Sequence, residues 1–94
     1  MTSKQRAYLR SMAAMYDPIF HIGKSSITPE FTQAVDEALE ARELIKINDL
    51  KNCFDDVKGL SIMLAERTGS EVVQVIGRKF VLYRESKNNK RINL

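Results

Sequence analysis

The sequence has 94 residues, of which 44% are hydrophobic and 29% charged, and its formal net charge is +3. A chain of this length forms one domain with one hydrophobic core, and the composition is that of a globular protein rather than a disordered one. No apolar run approaches the length of a membrane span and no stretch resembles a signal peptide, so we expect a cytoplasmic protein that binds no membrane.

The start of the sequence predicts a helix followed by a short strand. Thr2 and Gln5 have the spacing of a capping box, and apolar residues then recur at helical spacing. Asp17-Pro18 ends this helix, because a residue that precedes proline is pushed out of the helical region. The run "IFHI", residues 19–22, is short, apolar and partly β-branched, which predicts a buried strand.

A second helix is predicted to begin at Pro29. Thr28 can cap this helix, and proline suits the first helical position, where its missing N–H leaves no hydrogen bond unmade. The apolar positions follow one helical face without a gap: Phe31, Ala34, Val35, Ala38 and Leu39. The next stretch, "ELIKIND" over residues 43–49, alternates and contains β-branched isoleucines, which predicts a strand.

The second half of the chain predicts a helix and a hairpin. After a loop at "LKNC", Asp55 and Asp56 open a third helix that ends at Gly69, a residue suited to a left-handed stop. The runs "EVVQVI" and "KFVLYR" predict two strands. Between them, Gly77-Arg78 suits a type II′ hairpin turn.

These elements alternate as α-β-α-β-α-β-β, which predicts an α/β fold with a mixed sheet. Strands joined through helices imply right-handed crossovers and parallel pairing, and the last two strands add an antiparallel hairpin. We therefore expect a four-stranded mixed sheet with packed helices in one domain, residues 1–86. Residues 87–94 are predicted to form a polar, basic tail that is mobile beyond Lys87.

Charge is distributed unevenly along the chain. Residues 1–28 carry four basic side chains and one acidic, residues 29–75 carry five basic and ten acidic, and residues 76–94 carry six basic and one acidic. Both ends are therefore basic and the middle is acidic. A fold that brings the two ends together would have a basic side, and a basic side attracts polyanions.

The stretch Gly23-Lys24-Ser25 resembles the end of a phosphate-binding P-loop. A P-loop needs a glycine where this chain has Pro18, so a P-loop enzyme is disfavoured and a plain loop before a helix is the simplest interpretation. Even a plain loop would place the unpaired N–H groups that open the second helix beside Lys24 and three hydroxyl groups. Such an arrangement predicts a site for an anion, including one phosphate of a nucleic-acid backbone. The hydroxyl groups belong to Ser25, Ser26 and Thr28.

Catalytic and metal sites are disfavoured by residue type. Cys53 and His21 are the only cysteine and the only histidine, so no intramolecular disulfide and no multi-ligand zinc site is expected. The two could form a catalytic pair, but His21 falls in an apolar stretch, which favours a buried or edge histidine. We predict no enzyme activity, no metal and no cofactor.

Six basic residues crowd the last nineteen positions, with one acid among them. Surface charge alone would explain two or three of them, so binding to a polyanion and a solvated surface are about equally favoured. Tyr83 and Tyr8 lie near basic residues and could offer rings to nucleic-acid bases, although a core or half-exposed tyrosine is the simpler interpretation. The six basic residues are Arg78, Lys79, Arg84, Lys87, Lys90 and Arg91.

Three stretches together resemble the CRM domain, the chloroplast RNA splicing and ribosome maturation family, in its bacterial single-domain form. They are "IFHIGKSSITPEF", "ALEARELIKI" and "VQVIGRKFVLYRESK". The resemblance covers nearly the whole chain. It implies a fold like that of the C-terminal domain of bacterial translation initiation factor three, binding to RNA, and association with precursors of the large ribosomal subunit. It implies no cofactor and no catalysis.

The family carries a G-x-x-G loop between its first strand and second helix, comparable to the KH-domain loop that clamps a nucleic-acid backbone. Gly23 matches the first glycine, and Lys24 and Ser25 fill the two variable places. Ser26 stands where the second glycine belongs. If that position needs a left-handed backbone, serine costs on the order of 1 kcal/mol, whereas if it needs only close approach, the hydroxyl can donate to a phosphate.

The sequence therefore predicts a monomeric, non-catalytic protein that binds ribosomal RNA or a large-subunit precursor and takes no small-molecule substrate. One alternative is a protein-interaction adaptor that uses the acidic residues Asp36, Glu37, Glu40, Asp55 and Asp56 to contact a basic ribosomal protein or assembly factor. Another is a small phosphate-handling enzyme at Gly23. The predicted RNA-binding residues are Gly23, Lys24, Ser25, Ser26, Thr28, Arg6, Arg10, Arg78, Lys79, Arg84 and Lys87.

Overall fold

The computed structural model describes residues 1–23, 27–50 and 56–94. The helices and strands follow the predicted order, and the predicted α/β class with a four-stranded mixed sheet is confirmed. In chain order the elements are α1 Ser3–Ala13, β1 Phe20–Ile22, α2 Pro29–Arg42, β2 Leu44–Asp49, α3 Val57–Thr68, β3 Glu71–Ile76 and β4 Lys79–Tyr83. No helix within the described residues is long and apolar enough to cross a membrane.

The sheet has the strand order β1-β2-β4-β3. The strands β1 and β2 are parallel, and β4 is antiparallel to both of its neighbours, so β4 lies between the two strands that α3 connects. The carboxyl ends of β1, β2 and β3 therefore meet the start of β4. We call this the loop end of the sheet, and the opposite end, where Leu44, Glu71 and Tyr83 pair, the tail end.

The helix starts and the end of α3 follow the predicted capping chemistry, whereas α1 ends at Ala13, before the predicted stop at Asp17-Pro18. Thr2 and Gln5 form the capping box of α1, and the Thr28 hydroxyl accepts a hydrogen bond from the N–H of Phe31 at the start of α2. Asp56 caps α3, whose C-terminal Gly69 has a φ of 66° in the left-handed region. Asp55, predicted to open α3 together with Asp56, lies outside the described residues, as do residues 51–53 of the predicted loop.

Two hydrophobic clusters hold the sheet, one on each face. Helices α2 and α3 cover the first face, where they bury Ile45 and Ile47 of β2 and Phe80 of β4. Helix α1 covers the second face and buries only Leu9 and Ala13 of its own residues against the sheet. Because α1 is a single helix of 11 residues, it packs over the tail end of this face and leaves the rest uncovered.

Strand β2 begins one residue later than predicted because Glu43 ends α2 with a φ of 68°. Its buried carboxylate accepts hydrogen bonds from the backbone N–H groups of Ser86, Arg91 and Ile92 at 2.7, 2.6 and 2.8 Å. Burial alone would raise the pKa of Glu43, but these N–H donors outweigh it and hold the pKa below the ordinary value of 4.5.

The tail lacks helix and strand but docks on the domain. Glu40 accepts hydrogen bonds from the Ser86 hydroxyl and from the backbone N–H groups of Lys87 and Asn88, and these three donors lower its pKa. Ile92 is 5% exposed and belongs to the cluster under α1. These contacts do not favour the prediction that the chain is mobile beyond Lys87, because two acids at the α2 C-terminus bind this segment.

Candidate nucleic-acid interface

The uncovered part of the sheet beyond α1 presents polar and basic side chains. Side chains alternate along a strand, so the residues of β2 that do not face α2 and α3 point to the α1 side. Their register partners on β1, β4 and β3 share that side. We call this surface the open face, and it consists of His21, Lys46, Asn48, Gln74, Ile76 and Lys79.

The open face is accessible and carries positive charge. His21 and Lys79 are exposed, Ile76 is 61% exposed, and Lys46 is half-buried. The His21 ring nitrogen Nδ1 lies 3.4 Å from the Asn48 side-chain nitrogen, which places these two polar groups next to each other across β1 and β2. The six residues include two lysines and no acid, so this surface suits an anionic ligand better than a cationic one.

Gly23 lies at the loop end, beside the β3–β4 hairpin. The N–H of Leu50 donates to the carbonyl of Ile22 at 3.0 Å, and the N–H of Asp49 donates to the carbonyl of Arg78 at 2.7 Å, so the end of β1 and the hairpin flank the end of β2. An added Cβ at Gly23 would meet no atom of the described residues within 4 Å. Packing within the described structure therefore does not demand glycine here.

Of the remaining predicted RNA-binding residues in this loop, the structure describes only Thr28. Lys24, Ser25 and Ser26 lie outside the described residues. Thr28 serves α2: its hydroxyl accepts from Phe31, and its carbonyl accepts from the backbone and the hydroxyl of Thr32. The strand β1 ends at Ile22 and α2 begins at Pro29, so Gly23 directly follows the first strand, as predicted.

Arg78 is at the loop end, but its guanidinium is engaged with Asp49. The Nε group donates to the Asp49 carbonyl at 2.9 Å, and Nη2 lies 3.3 Å from the Asp49 carboxylate, whose side chain is fully buried. A buried carboxylate is stable only when it is paired, so this contact stabilises the hairpin against β2. The Arg78 side chain is nevertheless 39% exposed, which leaves part of its charge at the surface.

Two other predicted RNA-binding arginines point inward. Arg6 donates to the carbonyls of Val72 and Val73, where an irregularity in the β3–β4 register lies between Val72 and Gln74. Arg84 donates to the Asp36 carboxylate at 2.6 Å and to the Thr68 carbonyl at 2.7 Å, which ties β4 to both α2 and α3. Both guanidinium groups are thus used within the fold.

The predicted basic residues do not share one surface. Lys79 and Arg78 lie at the loop end, whereas Lys87 belongs to the tail segment beside Glu40 at the tail end. The five residue steps of β2 separate these ends by about 17 Å. Arg10 is exposed on α1, one turn after Arg6. The two basic chain ends were expected to form one surface. This expectation is met only in part, because the cations of the C-terminal region are divided between the two ends of the sheet.

Sequence reasoning missed Lys46, Asn48 and the outward direction of His21. The alternation in "ELIKIND" did carry a signal, since it places Lys46 and Asn48 opposite the isoleucines of the core. What the sequence did not reveal is that α1 leaves this part of the sheet uncovered. His21 is exposed on an edge strand, which agrees with the edge histidine that was one of its two predicted alternatives. Cys53 lies outside the described residues.

The remaining candidates are the two tyrosines near basic residues and the acidic residues of the predicted protein interface. Tyr83 is 7% exposed in the cluster under α1 and offers no ring to a ligand, whereas Tyr8 is 50% exposed. Asp36 and Glu40 of the predicted acidic interface bind Arg84 and the tail. No group of three or more potential metal-ligating side chains occurs within residues 1–23, 27–50 and 56–94.

These features define a small α/β domain that keeps a cationic sheet face open beside the loop before its second helix. The chain belongs to the CRS1/YhbY (CRM) domain family, whose model matches residues 1–84. This family was predicted from the sequence, and the prediction is confirmed.

Individual relatives cover the chain almost completely. It is 45% identical over 94 residues to the "Probable RNA-binding protein YqeI" of Bacillus subtilis, spanning 100% of this chain and 98% of the relative. It is 30% identical over 91 residues to an "RNA-binding protein" of Haemophilus influenzae, spanning 96% of this chain and 91% of the relative. The solution structure of the hypothetical protein SAV1595 from Staphylococcus aureus matches with a TM-score of 0.84 and 54% identity, over 100% of this chain and 98% of that one.

Proposed function

We propose that this protein binds RNA without catalysing a reaction, and that the open face and the loop end form the binding surface. The single observation that carries the proposal is the pair of half-buried Lys46 and exposed Lys79, which make no ion pair or side-chain hydrogen bond with the described part of the chain. Lysines without internal partners are free to neutralise phosphates and release counterions.

The neighbours of these lysines suit the same ligand. Arg78 brings a partly exposed guanidinium to the hairpin, and Gly23 offers backbone that a phosphate can approach closely. His21 and Asn48 supply a planar ring and an amide next to the lysines. The names of the two curated relatives support RNA rather than another polyanion.

We further propose ribosomal RNA in precursors of the large subunit as the natural target. The family resemblance supports this choice, since phosphate contacts alone carry no sequence information. A monomeric state and a cytoplasmic location belong to the same proposal. A fragment of large-subunit ribosomal RNA should therefore displace the protein from an equal mass of transfer RNA, and equal competition by the two RNAs would restrict the proposal to general RNA binding.

The test of RNA binding is fluorescence anisotropy with a labelled large-subunit ribosomal RNA fragment at several salt concentrations. We expect affinity to fall steeply between about 50 and 200 mM salt. Lys79→Gln should weaken binding and reduce the slope of log affinity against log salt by about 0.7 to 1, the contribution of one phosphate contact.

Arg67→Gln is the matched control. It removes one positive charge from an exposed residue of α3, which packs on the opposite face of the sheet. This variant should keep the wild-type slope. An affinity that does not change with salt, or equal losses in Lys79→Gln and Arg67→Gln, would overturn the assignment of the open face.

A further inference from the structure

A groove at the tail end of the sheet shares only Lys46 with the proposed interface. It encloses about 430 Å³ between the segment that follows α1, the first half of β2 and the end of the tail. This volume lies within the range of about 300–1,000 Å³ that is typical of small-ligand pockets. Buried Leu44 and Ile92 give the groove an apolar floor.

Three cations and one acid line this groove. Arg42 comes from the last turn of α2, Lys46 from β2 and Arg91 from the tail, and their side chains have no hydrogen-bond or ion-pair partner among the described residues. Asp17 supplies the opposing charge. The three cations come from separate parts of the sequence, and the docking of the tail through Glu43 brings Arg91 to the other two.

Tyr16 at the rim adds an aromatic ring that is 37% exposed. An apolar floor, a partly exposed ring and three cations without a partner in the described part of the chain match a ligand that combines a flat base with a phosphate. A base inside a duplex cannot reach such a ring, whereas an unpaired base can stack on it.

We propose that the groove binds an unpaired nucleotide of the RNA whose neighbouring part lies on the open face. In this arrangement the base stacks on Tyr16, and Arg42 and Arg91 contact the phosphate. Lys46 lines the groove and also belongs to the open face, so it joins the two surfaces; Asn48 follows two residues later, about 7 Å along β2. This inference rests on the proposed RNA binding and adds a preference for a junction between paired and unpaired RNA.

The experiment compares two RNA hairpins with the same stem, one blunt and one with a single-stranded adenosine overhang. The wild-type protein should bind the overhang hairpin at least about fivefold more tightly, since stacking of one base supports a difference of that size. Tyr16→Leu and Arg42→Gln should lose this advantage while keeping the affinity for the blunt hairpin.

Two controls match these variants. Tyr8→Leu removes an exposed ring of α1 that does not line the groove, and Arg67→Gln removes a cation from the opposite face. Both should keep the preference for the overhang. The proposed groove site is overturned if the wild-type protein binds both hairpins equally well, or if Tyr16→Leu and Arg42→Gln keep the preference for the overhang. Either result leaves the proposed RNA binding intact. No binding to either hairpin overturns both proposals.

Discussion

At the scale of single residues, positively charged side chains serve two different purposes in this protein. The guanidinium of Arg84 is used by the fold, and the ammonium group of Lys79 is accessible, although both residues belong to the basic C-terminal part of the sequence. The difference is one of burial and partners. A guanidinium with several donors can bridge a carboxylate and a carbonyl, whereas an exposed lysine keeps its charge for a ligand.

Arg84 is accordingly expected to affect stability rather than RNA affinity. Arg84→Lys should lower the free energy of unfolding by about 2 kcal/mol, because a single ammonium group cannot replace the contacts to both Asp36 and Thr68. Urea unfolding followed by circular dichroism measures this change. Lys79→Gln, as the exposed control, should change stability by less than about 0.5 kcal/mol. An Arg84→Lys protein that is fully stable but does not bind RNA would contradict this division.

Gly23, in contrast to Arg84, is expected to affect RNA affinity rather than stability. Its backbone does not have a positive φ, and a Cβ has room among the described residues, so Gly23→Ala should keep or raise stability by about 0.4–1 kcal/mol. RNA affinity should nevertheless fall several-fold, because the methyl group stands where a phosphate approaches the backbone. Thermal unfolding and anisotropy measure the two effects.

Gly69→Ala is the matched control for Gly23→Ala. Gly69 has a φ of 66° at the end of α3, so alanine there should cost on the order of 1 kcal/mol of stability and leave RNA affinity unchanged. If Gly23→Ala bound RNA as tightly as the wild type, close approach of a phosphate to the backbone of Gly23 would be excluded.

At the scale of elements, the end of α2 and the tail form one unit. Glu43 stops the helix in a backbone conformation that is unfavourable for a residue with a side chain, at a cost on the order of 1–3 kcal/mol. Its three hydrogen bonds to the tail backbone offset this cost. The tail in turn places Arg91 in the groove and Ile92 in the cluster under α1.

This unit makes stability depend on pH. Because hydrogen bonds hold the pKa of Glu43 below 4.5 in the folded protein, its carboxylate contributes stability that is fully present above pH 4.5 and is lost as the pH falls through the lower folded-state pKa. Glu43→Gln should cost on the order of 3 kcal/mol at neutral pH and should make the decline of stability below pH 4.5 shallower. Urea unfolding at a series of pH values measures both effects.

Glu37→Gln provides the comparison, since Glu37 is exposed and, among the described residues, its carboxylate accepts a side-chain hydrogen bond only from Gln33, at 3.2 Å. It should keep the wild-type stability and the wild-type pH dependence. A Glu43→Gln protein that loses stability with falling pH as steeply as the wild type would show that the tail is not held by this carboxylate.

At the scale of the whole molecule, local chemistry made the helices and strands predictable. The strand order and the candidate site depend on contacts between distant residues, and these limited the prediction. Capping residues and apolar spacing predicted α1, α2 and α3. Short apolar runs, with alternation in β2, predicted the strands to within one residue at their ends. The antiparallel hairpin followed from the residues of its turn. The insertion of β4 between β2 and β3 was not readable, because strand order depends on packing rather than on local propensity.

The candidate site was predictable only in part for the same reason. Counting charges identified a basic C-terminal region, but a count does not distinguish Arg84, which bridges helices, from Lys79, which faces solvent. The tail was expected to be mobile because its composition is polar, and the acids that hold it lie more than forty residues earlier in the chain. Contacts at such separations leave no local pattern in a single sequence.

The register irregularity in β3 has a consequence for self-association. A sheet border with free carbonyl groups invites another polypeptide to add a strand, and this is a common route to aggregation. Here the Arg6 guanidinium occupies the carbonyls of Val72 and Val73 on one border, and the opposite border is a strand of only three residues. An arginine that charge counting assigned to a ligand thus protects the sheet from a neighbouring molecule, and Arg6 is a position where substitution threatens solubility.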